Sequence, residues 1–221
     1  MEYPVTILMT EFVTHDVKRF IVSKPAGFIW QPGQGLELRI NQPQWLEEGR
    51  PFTPTGLADD RVLEFTIKRY PEHHAVTDTL HTLRPGDELL LSEPFGSITY
   101  KGPGTFIAAG AGITPFLAIV RQLATANKLN GHRLLYSNKT PRDVICEKEL
   151  RHAFGKECVL TCTRKQAAGY DNRRIDPAYL AEKISDLSQH FYVCGPEAFV
   201  EDVNRALAEL GTTADLLVFE E

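Results

Sequence analysis

The 221-residue sequence lacks features that would point to several common classes of protein. No apolar run approaches the roughly 20 residues that a helix needs to span a bilayer, and no basic leader precedes an apolar segment at the N-terminus. The formal net charge of -5 provides no general basic field, which argues against nucleic acid or an anionic membrane as partner. We therefore expect a cytoplasmic protein that binds neither.

Cysteine is scarce, and its four positions form no CxxC pair. The spacings typical of iron–sulfur ligands are absent, and the seven histidines fall into no ligand spacing, so no metal site is predicted. Cys158 and Cys162 lie four apart in "ECVLTCT", which puts them on one face of a predicted strand. We expect both to be buried as small apolar residues.

The first half of the chain, to about residue 102, consists of short alternating segments separated by turn signals such as "PGQG" and "RPGD". This spacing predicts an antiparallel barrel or sandwich. One helical insert, "TDTLHTL", has Thr77 placed as its N-cap. The predicted strands are "TILMTEFVT", "KRFIVSK", "GLELRI", "VLEFTIKRY" and "DELLLSE".

The pattern changes after the Gly102-Pro103-Gly104 turn, where strands alternate with longer amphipathic helices. Such alternation predicts a parallel sheet with helices on both faces. The predicted strands are "TFIAAG", "HRLLYS", "CVLTCT", "HFYVCG" and "ADLLVF", and helices are predicted at 116–124, 143–154, 176–184 and 196–210. The chain is therefore expected to have two domains, residues 1–102 and 103–221.

The segment "AAGAGITP" lies where the first of these strands passes into a helix. Gly110 and Gly112 lack a Cβ, so a diphosphate can approach the backbone, and the free amides of the new helix favour an anion. Pro115 occupies the position of the third glycine in the usual GxGxxG fingerprint. A dinucleotide-binding turn and a simple tight turn with proline near the helix start both fit the pattern.

A second turn of this kind, "VCGPEA", follows another buried strand and begins another helix. Both turns are expected at the carboxyl ends of parallel strands, which is where open α/β sheets bind their ligands. Cys194 would then face a cleft beside a flat ring; burial as a structural cysteine is the alternative.

Three motifs in order, "RPFTPT", "GAGITP" and "CGP", resemble the ferredoxin–NADP reductase family, and the resemblance runs along almost the whole chain. It implies an N-terminal six-stranded antiparallel barrel that holds FAD and a C-terminal α/β domain that binds NAD(P)H. Arg50 is then assigned to the flavin pyrophosphate, Phe52 to stacking on the isoalloxazine and Thr53 to a hydrogen bond near N5. The family has tyrosine at the position of Phe52, so the hydroxyl of that side chain is missing here.

The resemblance implies catalytic positions for Thr53, Cys194 and Glu220, although Glu220 is equally compatible with a solvated carboxylate. "IKRY" resembles the strand beside the ribityl chain, and "HAVTDTL" resembles a helix start that meets an anion, with His74 in place of glycine. "EPFG" resembles the turn that closes the barrel. The remaining cofactor-binding residues implied are Thr55, Ile67, Lys68, Arg69, Ala75, Val76, Thr77, Gly110, Gly112, Thr114, Pro115, Arg164, Gly195 and Pro196.

The implied reaction moves a hydride from the nicotinamide to flavin N5, after which electrons pass one at a time to a separate ferredoxin, flavodoxin or oxygenase component. Arg164 and Lys165 favour NADPH over NADH if they meet a 2′-phosphate, and are otherwise a solvated face. The protein is expected to be a monomer. The alternatives are a non-catalytic flavin-binding electron-transfer subunit of a larger complex, which usually carries a cysteine cluster not found here, and a redox-sensing module.

Overall fold

A computed structural model describes residues 2–71, 76–96 and 98–219. The first part of the chain forms a six-stranded antiparallel sheet in the order β4-β3-β6-β1-β2-β5. Its elements are β1 (Tyr3–Phe12), β2 (Val17–Ser23), β3 (Leu36–Ile40), β4 (Arg50–Phe52), β5 (Val62–Lys68), α1 (Val76–Leu80) and β6 (Glu88–Leu91).

This sheet closes on itself just beyond β4. Pro54 bridges Phe65 of β5, and the backbone amide of Thr55 donates to the carbonyl of Glu64 at 2.7 Å. Alternate side chains of β3 point inward, where Leu36, Leu38 and Ile40 are fully buried. The structure is therefore a nearly closed barrel, not the sandwich that the strand pattern also allowed, and the short "RPFTPT" segment supplies its seam.

The second part is a five-stranded parallel sheet in the order β11-β10-β7-β8-β9. Its strands are β7 (Gly104–Ala109), β8 (Arg133–Asn138), β9 (Cys158–Cys162), β10 (His190–Cys194) and β11 (Leu217–Phe219). The helices are α2 (Thr114–Thr125), α3 (Glu147–Phe154), α4 (Pro177–Lys183) and α5 (Glu197–Leu210).

Both faces of this sheet are covered, as predicted. Phe106 and Ala108 of β7 pack in a core with α2 and α3, whereas Ile107, between them, packs in a core with α4 and α5. Cys158 and Cys162 are both buried in β9, and burial raises the pKa of Cys158 to about 11. The prediction of two structural thiols is confirmed.

Helix boundaries differ from the sequence expectation in two places. The helix predicted from residue 143 begins only at Glu147, because Pro141–Asp143 forms a short 3-10 turn and Cys146 has a left-handed φ of 53°. Thr77 lies inside α1 and is not its N-cap.

The two parts share side chains at their contact. Ala118 of α2 packs into the barrel core, and Val17 of β2 packs into the core of the second sheet. Helix α2 therefore serves both cores. None of the helices in the described part of the chain is long and apolar enough to cross a membrane.

Candidate functional site

A cavity of about 660 Å³ lies where the barrel meets the carboxyl ends of the parallel strands. Its barrel wall is lined by Gly35, Pro51, Phe52, Thr53, Thr66, Ile67, Lys68, Tyr70 and Thr77. Its sheet wall is lined by Ala109–Gly112, Thr114, Pro115, Ser137–Lys139, Asp143, Thr163 and Cys194–Pro196. The cavity thus brings together the three motifs that lie far apart in the sequence.

The first glycine turn forms the centre of the sheet wall. Gly110 has a φ of 55°, and a Cβ built on it would meet nothing within 4 Å, so its backbone faces open space. A Cβ on Gly112 would lie 2.3 Å from the carbonyl oxygen of Cys194. The space expected for a ligand therefore exists at Gly110, whereas Gly112 allows the two glycine turns to pack together.

Tyr136 holds the first turn from below. Its hydroxyl donates to the carbonyl of Gly110 at 2.8 Å and accepts from the amide of Ile145 at 3.4 Å. Burial raises the pKa of Tyr136 far above its ordinary value, so the side chain keeps its proton. Tyr136 was not predicted from the sequence, although a tyrosine on a strand that neighbours a glycine turn is a recognisable candidate for supporting that turn.

The second turn packs directly against the first. A Cβ on Gly195 would lie 2.8 Å from the ring of Phe199 and 3.1 Å from the Cβ of Ala109. Cys194 is half-buried and lines the cavity, as the cleft interpretation predicted. Thr114 and Pro115 line it from the first turn of α2, where the positive end of the helix dipole favours an anion, although the amide of Thr114 already donates to the carbonyl of Ala111.

The barrel wall is built mainly from side chains. Phe52 and Thr53 line the cavity beside Thr66 and Lys68 on the neighbouring strand. The ammonium of Lys68 pairs with Asp16 at 2.9 Å, which anchors it at the edge of the site.

Several residues implied by the resemblance lie elsewhere than the cavity wall. The side chain of Arg50 is 47% exposed and pairs with Glu48 at 3.2 Å, while Arg69 pairs with Asp78 at 2.5 Å. Val76 is fully buried in the barrel core. Ala75, His74 and Glu220 lie outside the described residues.

Two further residues lie close behind the cavity wall or at its edge. Thr55 is fully buried, and its hydroxyl donates to Glu64 at 2.8 Å and lies 3.1 Å from that of Thr66. Arg164 is exposed and is not among the lining residues, although the adjacent Thr163 is. A ligand would reach Arg164 only by extending past Thr163.

Asn138 is a further candidate binding residue, which was not predicted from the sequence. It is 5% exposed at the carboxyl end of β8 and lines the cavity. Its side chain lies near the hydroxyl of Tyr136, but neither amide atom has a hydrogen bond of regular geometry among the described residues. An unpaired buried amide is costly unless a ligand or water completes it. Its position at a strand end on the ligand-binding edge was available from the sequence.

These features fit a dinucleotide and a flavin together. The sheet wall offers an open backbone turn, a helix start and an unpaired amide, which suit a diphosphate and ribose. The barrel wall offers an aromatic face and hydroxyls, which suit a planar heteroaromatic ring.

The comparisons with known proteins agree with this description. Residues 106–205 match the Oxidoreductase NAD-binding domain family. The naphthalene 1,2-dioxygenase system ferredoxin–NAD(P)(+) reductase component of Pseudomonas putida is 26% identical over 219 residues. That alignment covers 95% of this chain but 66% of the relative, so the chain spans slightly under two thirds of that protein.

Two solved structures share the whole fold. The flavohem-like FAD/NAD binding domain of nitric oxide dioxygenase from Vibrio cholerae superposes with a TM-score of 0.87 at 24% identity, covering 98% of this chain and 97% of that one. A ferredoxin NADP+ reductase from Neisseria gonorrhoeae with bound FAD and NADP superposes with a TM-score of 0.84 at 20% identity, covering 99% and 98%. Residues 106–205 thus match the Oxidoreductase NAD-binding domain family, and the whole chain has the fold of these two structures.

Proposed function

We propose that this protein is a flavoprotein reductase that takes a hydride from NAD(P)H onto FAD and passes the electrons to a separate acceptor. The observation that carries the proposal is the single cavity that joins the flavin motif of the barrel to both glycine turns of the sheet. Residues 1–102 would form the FAD-binding domain and residues 103–221 the NAD(P)-binding domain.

On the barrel side, Phe52 would present its ring to the isoalloxazine and Thr53 its hydroxyl to the flavin edge. Ile67 and Lys68 of β5 would border the ribityl chain, and Thr77 would meet the diphosphate region. Support comes from their shared position on the barrel wall. Arg50 keeps its proposed role at the pyrophosphate because its exposed guanidinium contacts, within the described part of the chain, just Glu48 and the carbonyl of Gly49.

On the sheet side, the open backbone at Gly110 would meet the nucleotide diphosphate, near the positive end of the α2 dipole. Asn138 would pair its buried amide with the nucleotide. Lys139 lines the cavity close to Thr163, and Arg164 follows Thr163. These two cations favour a 2′-phosphate, so we propose a preference for NADPH over NADH.

FAD, when bound, supplies the exchange between two-electron and one-electron steps. The protein's own residues orient the rings and limit water at their contact, and no side chain need act as a strong base. Cys194 would border the nicotinamide from the second turn, because it lines the cavity opposite the barrel wall. The hydroxyl of Thr53 would donate a hydrogen bond to the flavin edge or accept one from it as that edge loses or gains its proton, and Glu220 keeps its proposed place near the nicotinamide.

The acceptor is proposed to be another molecule. The relative from Pseudomonas putida is named as a reductase component of a dioxygenase system, which supports a ferredoxin, a flavodoxin or an oxygenase component as partner. None of the four cysteines forms a disulfide, all four being in the described residues, which supports a reducing compartment such as the cytoplasm. We keep a monomeric state as part of the proposal.

An anaerobic titration tests this function. Purified protein loaded with FAD is mixed with NADPH or NADH, and the visible absorbance of the flavin is followed. We expect the flavin absorbance to bleach, and at low nucleotide concentration to bleach faster with NADPH than with NADH. The absorbance should recover when a one-electron acceptor such as ferricyanide is added. If neither NADPH nor NADH bleaches the flavin, the protein is better explained as a non-catalytic flavin-binding subunit or a redox-sensing module.

A further inference from the structure

Arg121 of α2 leaves its own domain to contact the barrel. Its guanidinium nitrogen Nη1 donates to the carbonyl of Thr55 at 2.7 Å and to the carboxylate of Glu64 at 2.5 Å. Through Nε and Nη2 it also binds both carboxylate oxygens of Glu149 on α3, at 2.6 and 2.9 Å. The side chain is only 17% exposed, so one arginine joins two domains in a nearly buried site.

The barrel residues that Arg121 contacts form the seam of the barrel. Thr55 and Glu64 are paired through the backbone at 2.7 Å and through the Thr55 hydroxyl at 2.8 Å. The same hydroxyl lies 3.1 Å from that of Thr66, which lines the cavity. Thr53, two residues before Thr55, lines it as well. The seam therefore lies directly behind the barrel wall of the cavity.

Helix α2 reaches the opposite wall of the same cavity. Thr114 and Pro115 at its start line the cavity beside the first glycine turn, and Arg121 lies about two turns further along. Helix α2 and the planar side chain of Arg121 therefore connect the barrel wall of the cavity to its sheet wall.

The charges in this network are strongly coupled. Although burial opposes it, the two carboxylates Glu149 and Glu64 raise the pKa of Arg121 overall. The hydrogen bond from Arg121 lowers the pKa of Glu149 below its ordinary value. Arg19 of β2 adds a second cation, 3.7 Å from Glu64. Arg121 and Glu149 therefore stay charged near neutral pH, and several hydrogen bonds at once fix the geometry of the network.

We propose that Arg121 is a positioning residue, which fixes the barrel wall of the cavity relative to the first glycine turn of the sheet wall. It would thereby set how closely the isoalloxazine ring and the nicotinamide ring meet. This proposal rests on the proposed reductase function. Arginine suits the role because its planar fork can bind a carboxylate with two donors while a third donor reaches elsewhere. Lysine keeps the charge but cannot hold Glu149 with two donors and the seam at the same time.

The chain offers a matched control within one domain. Arg133 also binds a carboxylate, that of Glu157, with its Nε at 2.8 Å and its Nη2 at 2.7 Å, and it donates to the carbonyl of Lys183. It does not line the described cavity. The variant R133K should lower stability without changing the relation between the two walls.

The test compares R121K, E64Q, E149Q and R133K as FAD-loaded proteins in anaerobic stopped-flow experiments with saturating NADPH. We expect R121K to bleach its flavin at least about tenfold more slowly than the natural protein, with its dissociation constants for FAD and NADP+ changed less than about threefold. E64Q, which weakens the contact of Glu64 with Arg121 and also its contacts with Thr55 and Arg19 inside the barrel, should slow bleaching by an intermediate factor, whereas E149Q and R133K should stay within about twofold.

A bleaching rate of R121K and E64Q equal to that of the natural protein would overturn the proposal. The same holds if both variants lose FAD or melt earlier while the fraction that retains FAD bleaches at the natural rate, because Arg121 would then serve stability alone. Failure of the natural protein itself to bleach is a separate outcome, which refutes the reductase function.

Discussion

The two walls of the cavity are made by different means. The sheet wall depends on backbone: two glycine turns packed against each other, a helix start and a buried hydroxyl that supports them. The barrel wall depends on side chains such as Phe52 and Lys68, held by strands and by neighbouring ion pairs. A backbone wall should tolerate few substitutions at its turns, whereas a side-chain wall should change its affinity gradually.

Replacing Gly112 with alanine should have the largest effect on stability. Its Cβ would lie 2.3 Å from the carbonyl oxygen of Cys194 and 2.6 Å from the amide of Gly195, so the two turns must separate. We expect a loss of about 3 kcal/mol in the free energy of unfolding, measured by urea denaturation.

Gly110→Ala is the matched control for that substitution. Its Cβ meets open space, so it should cost only about 1 kcal/mol for the positive φ. Equal losses in the two variants would contradict the view that contact between the turns, and not glycine's backbone freedom, determines the sheet wall.

Tyr136→Phe should weaken the sheet wall without touching the ligand side. The change leaves the carbonyl of Gly110 and the amide of Ile145 without the hydroxyl they share, at a cost of about 1 to 2 kcal/mol. We expect NADP+ to bind about fivefold more weakly by calorimetry, with FAD affinity unchanged.

Tyr192→Phe provides the comparison, because that hydroxyl binds the backbone of Lys101 and Gly102 outside the described cavity. It should lower stability by a similar amount but leave NADP+ affinity as it was. If both tyrosine variants weaken NADP+ equally, Tyr136 has no particular connection to the turn.

The contrast between the walls also explains what the sequence could predict. The turns at Gly110 and Cys194 were found because their chemistry depends on local backbone at strand ends, a rule that holds for any open parallel sheet. The packing of Gly112 against Cys194 could not be found, because it joins residues more than 80 positions apart in the chain.

The barrel wall was harder to read from local patterns. Which residues of "RPFTPT" face the cavity depends on how the barrel closes, and closure at Pro54 and Phe65 buries Thr55 behind the wall. The resemblance identified the motif, but only the structure shows that Thr53 lines the cavity whereas Thr55 is buried behind it. The role of Arg121 could not be predicted for the same reason. A cation on an amphipathic helix is expected to face solvent, and only the folded structure shows that it contacts the barrel.

His81 should make the barrel sensitive to acid. Its Nε2 donates to the carbonyl of Ile67 at 2.9 Å, while its buried Nδ1 meets no hydrogen-bond partner in the residues that the structure describes. Burial lowers the pKa of His81 below its ordinary 6.5. The unfolded chain therefore binds the proton more readily, so this contribution to stability is complete above pH 6.5 and is lost as the pH falls below it.

His81→Gln keeps a donor for Ile67 but cannot titrate. The free energy of unfolding should then fall less steeply between pH 6.5 and 5, by up to about 1.4 kcal/mol per pH unit, in denaturation curves taken at several pH values. An unchanged slope would show that other groups carry the acid sensitivity of the barrel.

Phe52→Tyr should have the smallest effect and tests the barrel wall most directly. Phe52 lines the cavity, and the tyrosine that the family has at this position would add one hydroxyl to the same ring. Because a single hydrogen bond contributes about 1 kcal/mol, FAD should bind up to about fivefold more tightly, measured by fluorescence titration of the apoprotein. Phe95→Tyr, on an exposed ring that does not line the described cavity, should leave FAD affinity unchanged. Equal FAD affinity of the natural protein and Phe52→Tyr would mean that the ring alone provides what this wall gives to the flavin.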